Sequence, residues 1–248
     1  MIGISKLYCG TVEPSDALRY GRHSSQLPSH LLQFSEDKRP VVVWNLTRRC
    51  NLKCVHCYAH AKALANDDEL STREGKKLID DLAEYGAPVI LFSGGEPLAQ
   101  PDFLATLLSG CREQGIHTAL DTSGYATPEI MARIAPLVDL FLYDLKLMND
   151  RRHQTYTGLS NACILANLRY LVETGRKVVI RFPLIPQIND TSENLAQMDA
   201  FLTDLGLQRI DLLPFHGIHR QKYHRLGQPT TLGKLEPPHE VTTSRANA

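Results

Sequence analysis

The chain has 248 residues, 43% of them hydrophobic, enough for a substantial core in one large domain or two small ones. Lysine plus arginine and aspartate plus glutamate each total 27, so no net field draws it toward nucleic acid or an anionic membrane. The opening "MIGISKLYCGTVEPSDALRYGR" lacks a basic segment followed by an apolar run, and no later stretch reaches bilayer-spanning length, so the expectation is a cytoplasmic protein.

From residue 41 onward, short β-branched or aliphatic runs alternate with longer amphipathic segments, the pattern of βα units around a parallel sheet. The expected strands are 41–46 (VVVWNL), 88–93 (PVILFS), 116–121 (IHTALD), 140–145 (LFLYDL), 177–182 (KVVIRF) and 209–214 (RIDLLP). Between the first two lies a helix that opens on Ser71, Thr72 and Glu74, a capping-box pattern, and stops at Gly86. Further helices are expected over 101–115, 128–137, 162–175 and 192–206, three of which end in glycine. Such strands serve a doubly wound sheet or a barrel equally well. Near the C-terminal end of each, however, stands a chemically capable group: the cysteines after the first, "GGEP" after the second, Asp121 and Thr122 at the third, Asp144 and Lys146 at the fourth, Arg181 in the fifth and His216 after the sixth. In a (β/α) barrel those ends converge on one mouth, which favours the barrel.

Three of the six cysteines, Cys50, Cys54 and Cys57, fall in "RRCNLKCVHCYA", and this clustering points to metal ligation in a reducing compartment rather than to disulfides. A closed zinc site wants four ligands, and the available fourth donors, His56 and His60, lie in the same tight loop. A cubane iron–sulfur cluster on three cysteines leaves one iron open to a substrate or cofactor. The C-x3-C-x2-C spacing of "CNLKCVHC" after a first strand resembles the radical S-adenosylmethionine (SAM) superfamily. That resemblance implies an α/β fold of a partial (β/α)6 TIM-like barrel. It also implies one 4Fe-4S cluster on Cys50, Cys54 and Cys57, and SAM chelated to the open iron and cleaved to a 5′-deoxyadenosyl radical. The glycine pair of "SGGEP" read alone is a tight turn. By the resemblance, Gly94 and Gly95 contact SAM, with Glu96 as a supporting group.

Residues 92–232 resemble the activating enzymes of glycyl radical enzymes, through "FSGGEPLAQPDF", "HTALDTSGYA", "VDLFLYDLKLMND", "YTGLSN", "VVIRFPLIPQIND", "DLLPFH" and "KYHRLG". The resemblance implies hydrogen abstraction from a glycine Cα of a partner glycyl radical enzyme, with a flavodoxin- or ferredoxin-like electron donor. It places Asp144, Lys146 and His216 against SAM, with His56 and Tyr58 flanking it beside Cys57. Asp121 with Thr122 would make a nearby polar or cation site, and Arg181 is a further contact. Physically, Asp144 and Lys146 share a strand face and also suit a plain structural pair, and His216 also suits a solvated loop.

Residues 1–98, through "KLYCGTVEPSDALRYGR" and "PVVVWNLTRRCNLKCVHCYA", resemble instead the radical SAM enzymes of alternative haem and haem d1 biosynthesis, which remodel side chains of sirohaem-derived tetrapyrroles. Those enzymes carry further C-terminal cysteines, whereas Cys111 and Cys163 here sit in helical patterns and read as core. The two resemblances meet at "FSGGEPL", so the chain reads as a hybrid. His219 stands where the activase pattern has glycine. The expected organisation is an extension over 1–40, a core over 41–232 and a disordered tail over 233–248. Glycyl radical activation is the leading reading, tetrapyrrole side-chain chemistry the rival, and a non-catalytic metal-binding module the third.

Overall fold

The structure is a computed structural model and describes residues 39–57, 61 and 68–215. Six parallel strands form one sheet in chain order: β1 (Val42–Thr47), β2 (Val89–Gly94), β3 (His117–Thr122), β4 (Leu140–Asp144), β5 (Val178–Leu184) and β6 (Ile210–Pro214). Helix α1 (Thr72–Tyr85) follows β1, α2 (Pro101–Glu113) follows β2 and α3 (Pro128–Ile134) follows β3. Two helices, α4 (Asp150–Thr157) and α5 (Ala162–Glu173), follow β4, and α6 (Ser192–Asp204) follows β5. Asn45 of β1 and Leu213 of β6 line one cavity, which requires the sheet to curl. Among the described residues β1 and β6 do not pair, so the curl stays open as a partial (β/α)6 barrel.

Each strand begins within a residue of its expected position, because short β-branched and aliphatic runs define it, most continuously in β2, where Val89, Ile90, Leu91 and Phe92 are all buried. The outer face packs on the helices through Phe92, Leu120, Phe141 and Phe182. The inner face carries Val89, Leu91, Ala119 and Leu142 toward the N-terminal ends of the strands, an apolar floor. Two residues further along the same face come Ser93, Asp121 and Asp144, so the alternation that makes the floor also aims the polar groups at the mouth.

Helix α1 starts as its sequence announces. Ser71 and Glu74 exchange side-chain and backbone hydrogen bonds, and Gly86 closes the helix with φ 80°. The segment expected as one helix over 128–137 becomes α3 followed by a single 3₁₀ turn at Ala135–Leu137, since Pro136 has no N–H to continue the α-helical ladder. Helix α4 has no counterpart in the pattern, because it buries only His153 and Thr157. Its signals are Asn149, whose Oδ1 accepts from Arg152 N at 3.0 Å, and Gly158 at its end. Among the described residues no helix is long and apolar enough to cross a membrane. Cys111 is a buried core residue and Cys163 packs against the same core. Nearly all of the extension over 1–40 and the whole tail lie outside the described residues.

Candidate active site

The loop after β1 is stitched down on several sides. On one, Glu69 accepts Thr47 Oγ1 at 2.8 Å and Arg48 N at 2.9 Å, and its other oxygen takes Gln100 Nε2 at 2.9 Å. On another, the C-terminal carbonyls of α4 receive the loop: Lys53 N donates to Thr157 O at 2.7 Å and Val55 N to Tyr156 O at 3.0 Å. Val55, between Cys54 and Cys57, packs on a small separate core of Leu147, Ile185 and Ile188. Helix termini leave carbonyls unsatisfied, and here the cysteine loop supplies the donors. The helix that the hydrophobic pattern does not reveal is therefore the pillar of the thiol loop.

The third attachment is the glycine pair. Gly95 N donates to Thr47 O at 2.7 Å and Glu96 N to Arg49 O at 2.9 Å. A Cβ on Gly95 would stand 2.2 Å from Arg49 O, and one on Gly94 would stand 2.5 Å from Thr47 O. Both glycines also line the cavity. Glu96 does not. It lies 1% exposed behind the wall, accepting Thr122 Oγ1 at 2.6 Å, Ser123 N at 2.9 Å, Ser123 Oγ at 2.6 Å and Leu98 N at 3.2 Å. Burial pushes its carboxyl upward, and those donors pull against the shift. Glu96 thus supports the site by bracing the end of β3 against the turn after β2.

The far wall is a chain of alternating charge. Arg181 Nε donates to Asp144 Oδ1 at 2.8 Å, and Arg181 also bonds Asp121, whose other oxygen accepts Ser93 Oγ at 2.8 Å. Lys146 Nζ lies 3.5 Å from Asp144 Oδ2. Asp144 and Arg181 stand opposite each other in the β4–β5 register, so the ladder itself brings the pair together. Burial raises Asp121, outweighing Arg181. For Asp144 burial pulls the same way, but Arg181 and Lys146 together overcome it and hold the carboxyl low. Burial works to lower Lys146, and Asp144 with Cys54 more than offsets it, keeping the ammonium charged. At the polar or cation site implied at Asp121 and Thr122, the structure shows protein partners for both residues. Arg181 and Ser93 take the oxygens of Asp121, and the Thr122 hydroxyl is given to Glu96.

These groups surround one cavity of about 890 Å³, within the range of small-molecule sites. Cys50, Cys54 and Cys57 line it together with His56, Gly94, Gly95, Asp121, Thr122, Asp144, Lys146 and Arg181. Tyr58 and His216 lie outside the described residues. Ala61 N points at Cys57 Sγ at 3.4 Å. Burial pushes the Cys50 thiol up to about 12, with Glu96 adding to it, and the Cys54 thiol up to about 11 against the pull of Lys146. Thiols so placed release their protons when a metal takes them. Among the described residues no group of three His, Cys, Asp or Glu side chains stands close enough to hold a single metal ion. A cubane takes each thiolate on a different iron, and three thiols facing one cavity from one loop suit that arrangement. Ser93 and Ser123, which hold Asp121 and Glu96, are site residues to which the sequence assigns no role; their signal is their place, Ser93 as the last residue of an expected strand and Ser123 two positions beyond another.

The Radical SAM superfamily pattern matches residues 44–198. The chain is 55% identical over 219 residues to Fe-coproporphyrin III synthase of Methanosarcina barkeri (strain Fusaro / DSM 804), covering 87% of this chain and 53% of that protein. It is 42% identical over 160 residues to the trans-4-hydroxy-L-proline dehydratase activating enzyme of Clostridioides difficile, covering 63% of this chain and 53% of that protein. The chain therefore spans about half the length of these curated relatives. Among solved structures, a domain of pyruvate-formate lyase-activating enzyme from Bacteroides vulgatus ATCC 8482 superposes with a TM-score of 0.53 at 34% identity, covering 63% of this chain and 88% of that one. Streptococcus suis SuiB bound to S-adenosylmethionine shares the fold, with a TM-score of 0.63 at 16% identity over 84% of this chain and 45% of that one. An alignment over 219 of 248 residues necessarily contains residues 92–98, so it runs across the segment where the two resemblances meet.

Proposed function

The chain belongs to the radical SAM superfamily, is a radical SAM enzyme whose cofactors are a 4Fe-4S cluster and SAM, and, we propose, remodels side chains of an iron-tetrapyrrole precursor as a relative of Fe-coproporphyrin III synthase. The carrying observation is the 55% identity that runs across 87% of the chain. In this reading Cys50, Cys54 and Cys57 hold the cluster, one iron each. The cluster supplies, when bound, the electron that splits the SAM sulfonium into methionine and a 5′-deoxyadenosyl radical. The chain's own part is placement. Lys146 presents an ammonium to the carboxylate or ribose of SAM, and Asp121 and Asp144, held by Arg181, set fixed carboxyl acceptors in the same wall. His56, Gly94, Gly95 and Thr122 complete the wall beside it, with Tyr58 and His216 assigned to the same cofactor. The apolar floor of Leu91, Ala119 and Leu142 keeps water from the side away from the mouth.

A second reading, activation of a glycyl radical enzyme with a flavodoxin- or ferredoxin-like donor, is favoured by the 42% identity to an activating enzyme. Anaerobically reconstituted protein with SAM and reductant separates the two. Given didecarboxylated sirohaem, the first reading expects a loss of mass from the tetrapyrrole. Given a glycyl radical enzyme, the second expects a persistent glycyl signal in electron spin resonance. Absence of 5′-deoxyadenosine under every condition would instead support a module that binds metal without turnover.

A further inference from the structure

The stretch "IPQIND" after β5 supplies Ile185 and Ile188 to the small core under Val55, and it also contains one of the most thoroughly bonded side chains of the molecule. Asn189 is 0% exposed. Its Nδ2 donates to Lys146 O at 3.0 Å and to Pro183 O at 2.6 Å, and its Oδ1 accepts Ile185 N at 2.7 Å. One amide thus ties the backbone leaving β4, at Lys146, to the backbone leaving β5, two and four residues beyond Arg181. A second buried amide extends the tie. Asn194 Nδ2 donates to Asn189 O at 2.9 Å and its Oδ1 accepts Met148 N at 2.8 Å. The turn that carries Asn189 includes Gln187 at φ 64°, the one non-glycine residue in the left-handed region among the described residues. Such a conformation persists where its surroundings over-determine it. Arg152 of α4, which donates to Ile188 O at 2.7 Å, is part of those surroundings.

We propose that Asn189 is a positioning residue that acts through Lys146, splicing the ends of β4 and β5 so that the ammonium stands over Asp144 at the SAM-facing wall. Lys146 lies past the last residue of β4, where no ladder bond fixes its backbone on the β5 side. The amide of Asn189 supplies that bond. Leu145 N still donates to Arg181 O at 3.0 Å and Asn161 Nδ2 to Leu147 O at 2.9 Å, so loss of the amide frees the Lys146 carbonyl between two held neighbours, and the 3.5 Å contact to Asp144 is the first to go. The inference rests on the superfamily assignment and on Lys146 facing SAM, and is independent of whether the substrate is a tetrapyrrole or a protein glycine.

The test is SAM affinity, measured by equilibrium dialysis on anaerobically reconstituted protein, for Asn189→Ala, Lys146→Met and the double variant, with iron content and melting temperature recorded alongside. Asn189→Ala is expected to weaken SAM binding about tenfold, and the double variant to bind no worse than Lys146→Met alone. Asn194→Ala, which leaves the Asn189 side chain in place, is expected to show a smaller loss that also disappears in the Lys146→Met background. It carries the test if Asn189→Ala does not fold. Losses that multiply in the double variants would overturn the proposal. So would a lowered melting temperature with unchanged affinity, or an unchanged affinity in Lys146→Met.

Discussion

Single atoms decide what the glycines of this site do. From the sequence, Gly94 and Gly95 read as room for a cofactor. In the structure the same missing Cβ also admits the backbone of Thr47 and Arg49, so the pair docks the thiol loop onto β2. Gly95→Ala must push Arg49 O away, an overpacking that costs about 1–3 kcal/mol. The expected outcome is a several-fold drop in iron bound per chain after reconstitution, read by iron assay, with the far-ultraviolet helix signal retained. Gly124, at φ 74°, faces Tyr143, whose hydroxyl donates to Ile164 O at 2.6 Å and would lie 1.7 Å from an added Cβ. Gly124→Ala is therefore expected to destabilise the fold by roughly 2–4 kcal/mol, adding left-handed strain to overpacking, as a lowered midpoint in urea.

Helix α4 shows how an element can matter more than its hydrophobic pattern suggests. Its two buried residues are polar: the Nδ1 of His153 meets Leu159 O at 2.7 Å, and Thr157 Oγ1 donates to His153 O at 2.8 Å. Burial lowers the His153 pKa, with the Leu159 carbonyl opposing, Lys146 adding to the shift and Asp150 working against it. The unfolded chain therefore takes up a proton near the ordinary histidine value while the folded chain does not. This contribution to stability is complete above about pH 6.5 and is lost as pH falls below it. Because α4 anchors Lys53 and Val55, mild acid is expected to lower the melting temperature by roughly 2–4 °C per pH unit in that window. His153→Gln should flatten this slope, as thermal melts between pH 8 and 5.5 would show.

At the scale of the molecule, the open sheet divides into a firm middle and two softer margins. Strands β2, β3 and β4 carry buried side chains on both faces, outward on the helices and inward on the floor. β1 is a margin, with Val43 58% exposed, and β6 is the other. Opening free energies follow buried contact, so hydrogen exchange is expected slowest at residues 90–92, 118–121 and 141–143 and markedly faster in β1 and β6. Adding cluster and SAM, which the proposed function places against the loop after β1 and the ends of β3 and β4, should slow exchange at Lys53, Val55 and residues 185–189 more than in the middle strands.

Read alone, the sequence established the alternating strands and helices, the three-thiol loop and the list of polar groups at the strand ends. Each of these rests on local information: a period of two or 3.6, a cap, a spacing between cysteines. What only the tertiary structure decided is what those groups do to one another. Arg181 bonds both Asp121 and Asp144, because β-register sets Asp144 opposite it and the curl brings Asp121 within reach. Glu96 turns away from the cavity because Thr122 and Ser123, 26 and 27 residues on, offer it buried donors. Asn189 lies in "VVIRFPLIPQIND" without a role read from it there, and the bonds that make it matter join two chain exits, at residues 146 and 183, that meet only when the sheet has formed. Partnerships across such separations depend on loop closure and register, which no window of the sequence contains.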